Sequence, residues 1–385
     1  MNKNDSSTPV LSFFTGGGFL DMGFERAGFH VSWTNESNKA FTDMYSYGMT
    51  QWRRSLNASA EAAKISNKRS ITKVFAPEIL REAFPEGGLD FFGIIGGPPC
   101  PDFSVGGGNK GASGINGRLT EIFINRICKI IPSFFVFENV RGLFKTKIHR
   151  EFLLRLEKRL ESKGFCLDLK ILNALDFGVP QDRERLIMIG IQKKYTEACL
   201  GRSIKKNERR WFPWPEIPKY ADAKHKFNWP SIEKKDQIPA KRRGVPLKLT
   251  VYYHLNESNS PLEELNGNDI FKPYSAKFLT VCEGDTKRKS FKRLHRYRYS
   301  PTVCYGHNEV HLHPWENRRL SVREAMRIQG IPDEYALPED ASLTNKFSLV
   351  SNGVPVPLAY ELAVSLREFF KAEGLFKGKQ KMKKP

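Results

Sequence analysis

Short continuous apolar runs and amphipathic stretches alternate along the first half of the chain. Val10–Phe14, His30–Thr34, Phe91–Ile95, Phe134–Phe137, Leu167–Leu172 and Leu186–Ile191 predict strands. The runs at Phe91 and Phe134 are apolar throughout, as in strands buried on both faces. Phe19–Ala27, stopped by Gly28, spaces its apolar residues at helical intervals, as do Leu119–Ile131 and Phe152–Lys163, the last closed by Gly164. Strand and helix in alternation predict a doubly wound α/β domain on a parallel sheet covered on both faces.

The pattern changes after Ile191. Trp211-Phe212-Pro213-Trp214-Pro215, Asn228-Trp229-Pro230 and Lys241-Arg242-Arg243-Gly244 interleave proline, aromatic and basic residues, leaving only short strand candidates at Leu247–Tyr253 and Phe278–Cys282. A smaller, irregular domain is expected over 191–344. A catalytic domain is expected over 1–190, completed by a C-terminal helix within about 345–372 that docks back on it. Ser321–Ile328 predicts a helix ended by Gly330 and Pro332, and residues 373–385 form a basic tail expected to be disordered.

Composition narrows the function. The 385 residues are 40% hydrophobic and 27% charged, an ordinary globular mixture. No uninterrupted apolar run approaches the roughly 18 residues of a membrane span, and Met1–Pro9 lacks a signal-peptide pattern. None of the six cysteines forms a CxxC pair, so free thiols, a cytoplasmic setting and no structural metal are expected. His307, His311 and His313 have no cysteine partners nearby, and no metal site is expected there either. The net charge of +20 suits a polyanion, and its distribution sharpens the point: Ile191–Arg298 holds 25 basic against 12 acidic residues.

The chemistry gathers at predicted strand ends. Phe14-Thr15-Gly16-Gly17-Gly18 lies where the first strand turns into the first helix, and glycines there admit a ligand close to the backbone. Glu36, at the end of the second strand, can accept both hydroxyls of a ribose. Together they point to a nucleoside cofactor without choosing between a nicotinamide and a sulfonium. Gly96-Gly97-Pro98-Pro99-Cys100-Pro101 follows the third strand and frames one thiol with three prolines, a rigidity that a packing cysteine does not need. The glycine-rich stretch 102–118 cannot pack a core and is expected to be a lid. Glu138 ends the Phe134 run, and Gln181-Asp182-Arg183-Glu184-Arg185 precedes the last strand, where alternation sends Arg183 and Arg185 to one face. A thiolate, a carboxyl and two guanidinium groups on one sheet edge suit nucleophilic addition to an electron-poor ring.

These motifs, in this order from Leu11 to Ala363, make the chain resemble the DNA (cytosine-C5) methyltransferases of restriction–modification systems. The resemblance implies S-adenosylmethionine as cofactor and methyl transfer to a cytosine flipped out of duplex DNA. It implies catalytic roles for Cys100, Glu138, Arg183 and Arg185. Phe14, Gly16, Gly18, Leu20, Glu36, Pro98, Asn352 and Val354 would line the cofactor, the last two within Ser351-Asn352-Gly353-Val354-Pro355. Residues 191–298 would be the target-recognition region, with Ser104, Arg293, His295 and Arg296 as DNA contacts. Arg319–Ala325 and Gln329–Pro332 resemble the helix that braces that region. A monomer with a cognate restriction endonuclease as functional partner is further implied. Phe19 stands in place of the second glycine of the family's usual pair, and Pro101 where glutamine often follows the nucleophile. A relative acting on transfer RNA would lack so long a basic region, and an inactive DNA-binding regulator would not need Cys100, Glu138 and Arg185. A nicotinamide dehydrogenase would leave the Pro-Pro-Cys segment unexplained.

Overall fold

The computed structural model describes residues 7–87, 90–99, 115–145, 147–233, 237–256, 265–303, 305 and 310–377. In chain order its strands are β1 (Pro9–Phe13), β2 (His30–Asn35), β3 (Gly93–Gly96), β4 (Phe134–Val140), β5 (Phe165–Asn173), β6 (Gln181–Asp182), β7 (Glu184–Gln192), β8 (Lys292–Arg293), β9 (Ser300–Pro301) and β10 (His311–Leu312). Among the described residues a six-stranded sheet runs in the order β2-β1-β3-β4-β7-β5. The β1–β2, β1–β3 and β3–β4 pairs are parallel, but β7 is antiparallel to both β4 and β5.

The sheet is therefore mixed where a parallel one was expected. The reason is local. Only a one-turn helix (Ala174–Phe177) and β6 lie between β5 and β7, and a connection that short reverses the chain rather than crossing over. The reversal has a chemical consequence. Residues that precede β7 arrive at the same edge as residues that end β4: Arg185 pairs across from Val140.

Helices cover both faces. On one, Phe19–Arg26 packs on the C-terminal helix Val356–Lys371 so closely that a Cβ at Gly23 would meet Ala359 Cβ at 2.5 Å. Their core includes Phe24, Leu358, Leu362 and Leu366. On the other, Ile115–Ile130 and Lys147–Glu161 bury Phe123, Ile127, Leu153 and Leu156. The apolar stretch Leu343–Lys371, long enough by composition to cross a membrane, is two helices meeting at Gly353 with a mostly buried inner face.

Two expected boundaries move, and one segment adds to the sheet domain. Residues 48–75 form the end of the helix Lys39–Leu56 and a return that packs Trp52, Ile65 and Ile71 inward. Asn67 bonds to the backbone of Thr34 and Glu36, so this return covers the exposed edge of β2. The sheet-domain core also runs past residue 190: Ile204, Trp211 and Phe212 are buried in it, with Trp211 Nε1 donating to Leu167 O at 3.1 Å. Finally, Leu375 and Phe376 pack on that core and Lys377 pairs with Thr8, which shortens the expected tail to residues outside the described set.

Within residues 191–298 both strand candidates fold otherwise. Leu247–Leu249 is a tight turn followed by the helix Val251–Asn256, and Lys277–Thr280 is a short helix. Phe278 and Val281, three residues apart, both reach a small core with Phe291, Val310 and Leu312, a spacing that a helix satisfies and a strand does not. The helix Val322–Ile328 carries a full capping box, Ser321 with Glu324.

Candidate active site

The strand order reverses between β1 and β3, and crevices at such a switch point bind ligands beyond the carboxyl ends of the strands. Phe13 pairs with Gly96 there, and Gly96 with Phe137. The glycine turn after β1, the proline segment after β3 and Glu138 on β4 are thereby neighbours. The site's first residues are adjacent because of register alone.

The glycine turn is strained in the manner a ligand loop requires. Phe14, Gly16 and Gly18 all have positive φ, at 53°, 57° and 80°. Gly18 also has no room for a side chain, since a Cβ would meet Tyr45 and Met49 under 3.0 Å. Glu36 joins this turn: its Oε2 accepts from Gly16 N at 3.1 Å and its Oε1 from Asn38 N at 2.8 Å. A carboxylate held by two backbone amides at the lip of the turn fits a nucleoside, whose ribose hydroxyls are donors. Leu20 is buried beneath it, Pro98 is buried and Val354 is 7% exposed, while Asn352 is exposed at the end of its helix.

Beside this turn lies an ion pair. Arg185 Nε donates to Glu138 Oε1 at 2.9 Å, each side chain about a tenth exposed. Glu138 Oε2 lies over Gly97, where a Cβ would approach it to 2.5 Å. Gly97 is thus a position where a side chain would displace the Glu138 carboxylate, a constraint that the motif alone did not single out. Cys100 and Ser104 lie outside the described residues, as does the glycine-rich stretch as far as residue 114. Three of the described thiols are poor nucleophile candidates by placement: burial pushes Cys128 and Cys166 up and Cys199 to about 11.

Arg183 does not stand beside Arg185. It is buried, and its Nη2 donates to Ser351 O at 2.8 Å and Gly353 O at 2.9 Å. Strand alternation placed the two guanidinium groups together, but β7 begins only at Glu184, so the alternation does not extend to Arg183.

Of the expected DNA contacts, Arg293 and His295 are internal and Arg296 is half-buried in an ion pair. Arg293 is 5% exposed, with Nε donating to Val281 O at 2.8 Å and Nη1 to His313 O and Glu316 O, both at 2.7 Å. His295 is buried against Glu233, its Nε2 3.0 Å from Oε1. Arg296 forks onto Glu283 and lies over the Trp315 ring at 5.1 Å. A small irregular domain lacks a long ladder of its own, so these polar side chains satisfy backbone carbonyls and neighbouring acids instead. Burial pushes His311 down to about 3, a neutral core imidazole, and no group of three metal-ligating residues occurs among the described residues.

The chain is similar to known methyltransferases in sequence and in fold. A Type II methyltransferase, M.NmeDI of Neisseria meningitidis serogroup C, is 39% identical over 96% of this chain and 86% of its own length. M.FnuDI of Fusobacterium nucleatum, also a Type II methyltransferase, is 31% identical over 93% of this chain and 94% of its own. In fold, the chain is similar to the Dnmt2 methyltransferase of S. pombe, with a TM-score of 0.58 at 14% identity, covering 94% of this chain and 98% of that one. The family model for C-5 cytosine-specific DNA methylases matches residues 8–368. The chain belongs to that family and is a DNA (cytosine-5-)-methyltransferase.

Proposed function

We propose that the protein methylates C5 of one cytosine within a specific duplex DNA sequence, using S-adenosylmethionine and a covalent adduct between Cys100 and C6. The observation that carries this reading is the Glu138–Arg185 pair at the switch point, one loop from the Pro98-Pro99-Cys100 segment. When bound, S-adenosylmethionine supplies an electrophilic methyl on a sulfonium. Glu36 would hold its ribose, and the glycine turn with Asn352 and Val354 would enclose the rest.

The chain's own residues do the remaining work. The Cys100 thiolate adds to C6 of a base flipped out of the stack, and the displaced electron pair makes C5 nucleophilic. Glu138, with Oε1 held by Arg185, reacts in its protonated form: the proton on Oε2 passes to N3 as charge develops there, leaving the carboxylate that Arg185 balances, and it returns to Oε2 when the adduct collapses. Arg185 balances the carboxylate and stands by the O2 edge of the ring. Once C5 carries the methyl group, a base removes the C5 proton and the Cys100–C6 bond breaks, returning the thiolate. Flipping is necessary because C6 is shielded within a stacked duplex.

The names of the relatives favour a Type II restriction–modification role, in which the enzyme, as a monomer in the cytoplasm, protects the cell's DNA from a cognate endonuclease. The excess of basic residues in 191–298 supports duplex DNA as the partner.

The test is direct. Purified protein with S-adenosylmethionine should protect one cytosine in a fixed sequence context from bisulfite conversion. Duplex carrying 5-fluorocytosine at that position should be trapped covalently, and Cys100→Ala should abolish trapping. Methylation of transfer RNA but of no duplex DNA would overturn the substrate assignment, and trapping that survives in C100A would remove Cys100 from the mechanism.

A further inference from the structure

The helix Leu343–Asn352 ends against an internal polar cluster. Its last carbonyls have no partners within the helix and must find them elsewhere. Two buried side chains supply the donors. Gln329 Nε2 donates to Val350 O at 2.9 Å and to Gly353 O at 3.1 Å. Arg183 Nη2 donates to Ser351 O and, like Gln329, to Gly353 O. A third, Gln181, orients Gln329: its Nε2 donates to Gln329 Oε1 at 2.6 Å, while its Oε1 accepts from Val303 N at 3.2 Å. All three residues are 1% exposed or less.

An aromatic ring also packs against this turn. A Cβ at Gly353 would meet Phe19 Cδ2 at 2.1 Å, and one at Gly17 would meet Phe19 Cζ at 2.8 Å. The first residue of the helix that opens at the glycine turn therefore fills the space beside Gly353. Hydrogen bonds to the carbonyls of 350, 351 and 353 together with the Phe19 ring at Gly353 hold the backbone on both sides of the exposed Asn352 in the chain.

We infer that Gln329 and Phe19 are positioning residues for the methyl donor, and that they set the 351–353 turn so that Asn352 meets it. Arg183 belongs to the same device and ties the turn to the start of β7, the strand that carries Arg185. The inference rests on the reading of Asn352 as a donor contact. It departs from a role for Arg183 at the base.

The experiment measures S-adenosylmethionine affinity by calorimetry on full-length Gln329→Met and Phe19→Leu, at a temperature where each is folded, alongside single-turnover rates at saturating donor. Gln329→Met keeps shape and removes both donations. About a five- to tenfold weaker Kd is expected, the scale of one or two lost hydrogen bonds. Phe19→Leu keeps every donor and removes the ring beside Gly353, with the same direction expected. Rates at saturating donor should stay within about threefold, a split that simple loss of stability does not produce. Wild-type affinity in both variants, with lower melting points, would make the cluster purely structural and overturn the inference. Asn352→Ala tests the underlying reading separately: unchanged affinity there with weakened affinity in Gln329→Met rejects Asn352 as the contact while keeping the turn's role.

Discussion

Gly97→Ala isolates the carboxylate of Glu138 without touching it. The new methyl group would lie 2.5 Å from Oε2. Comfortable carbon–oxygen contact begins at about 3.3 Å, so the carboxylate must retreat by roughly 0.8 Å. Gly97 does not have a positive φ, so alanine is compatible with its backbone. The atom that must move is the free end of a flexible side chain, so the folding cost is small, within about 1 kcal/mol. The chemical cost is not small. A displacement near 1 Å of a group that must meet a ring nitrogen costs about 10²-fold in rate, and the 2.9 Å pair with Arg185 stretches at the same time. Initial rates of labelled methyl transfer, with DNA and donor both saturating, should show kcat reduced about 30- to 100-fold. Donor KM and the urea midpoint should stay near wild type. Glu138→Gln should lose at least as much, and the double variant should lose little more, since both act through one carboxyl group. A Gly97→Ala enzyme with kcat within threefold of wild type would refute the assignment of Oε2 to the base.

Two further perturbations reach beyond the active site. Burial pushes Asp21 up to about 7 against the Ser12 hydroxyl that donates to it at 2.5 Å, so the folded state holds a proton that the unfolded chain releases near pH 4. Stability from this group is complete below about pH 4 and falls as pH rises toward 7. Asp21→Asn should therefore flatten the decline in unfolding free energy between about pH 4 and pH 7 by on the order of a few kcal/mol, and a variant profile parallel to wild type would exclude Asp21 as its source. Arg293→Met leaves the carbonyls of Phe278, Val281, His313 and Glu316 without their donor, and should cost roughly 3 kcal/mol or more in chemical denaturation. An Arg293→Met protein that unfolds like wild type but binds DNA with a shallower salt dependence would restore that residue to the DNA surface.

Much of this site is legible in the sequence. Glycines between the first strand and helix, an acid ending the second strand, and a carboxyl ending an apolar run are local signals, because each is read by the residues beside it. The strand positions carry the same local information: residues apolar throughout, as in Phe134–Phe137, have to be buried on both faces wherever they sit. The order of motifs was enough to indicate the family.

What only the tertiary structure decided depends on partners far away in the chain. The short link from β5 reverses β7, but only its pairing with β4, in the register that sets Arg185 opposite Val140, carries Arg185 to Glu138, 47 residues away. Arg183, two positions earlier, turned instead to carbonyls at 351 and 353, because an unpaired helix end in the interior needs donors more than a strand edge needs a second charge. Arg293 and His295 carry the same residue types as a DNA-reading surface, and composition cannot tell a guanidinium that faces phosphate from one that satisfies four backbone oxygens. Residue type states what a group can bond to; packing decides what is within reach.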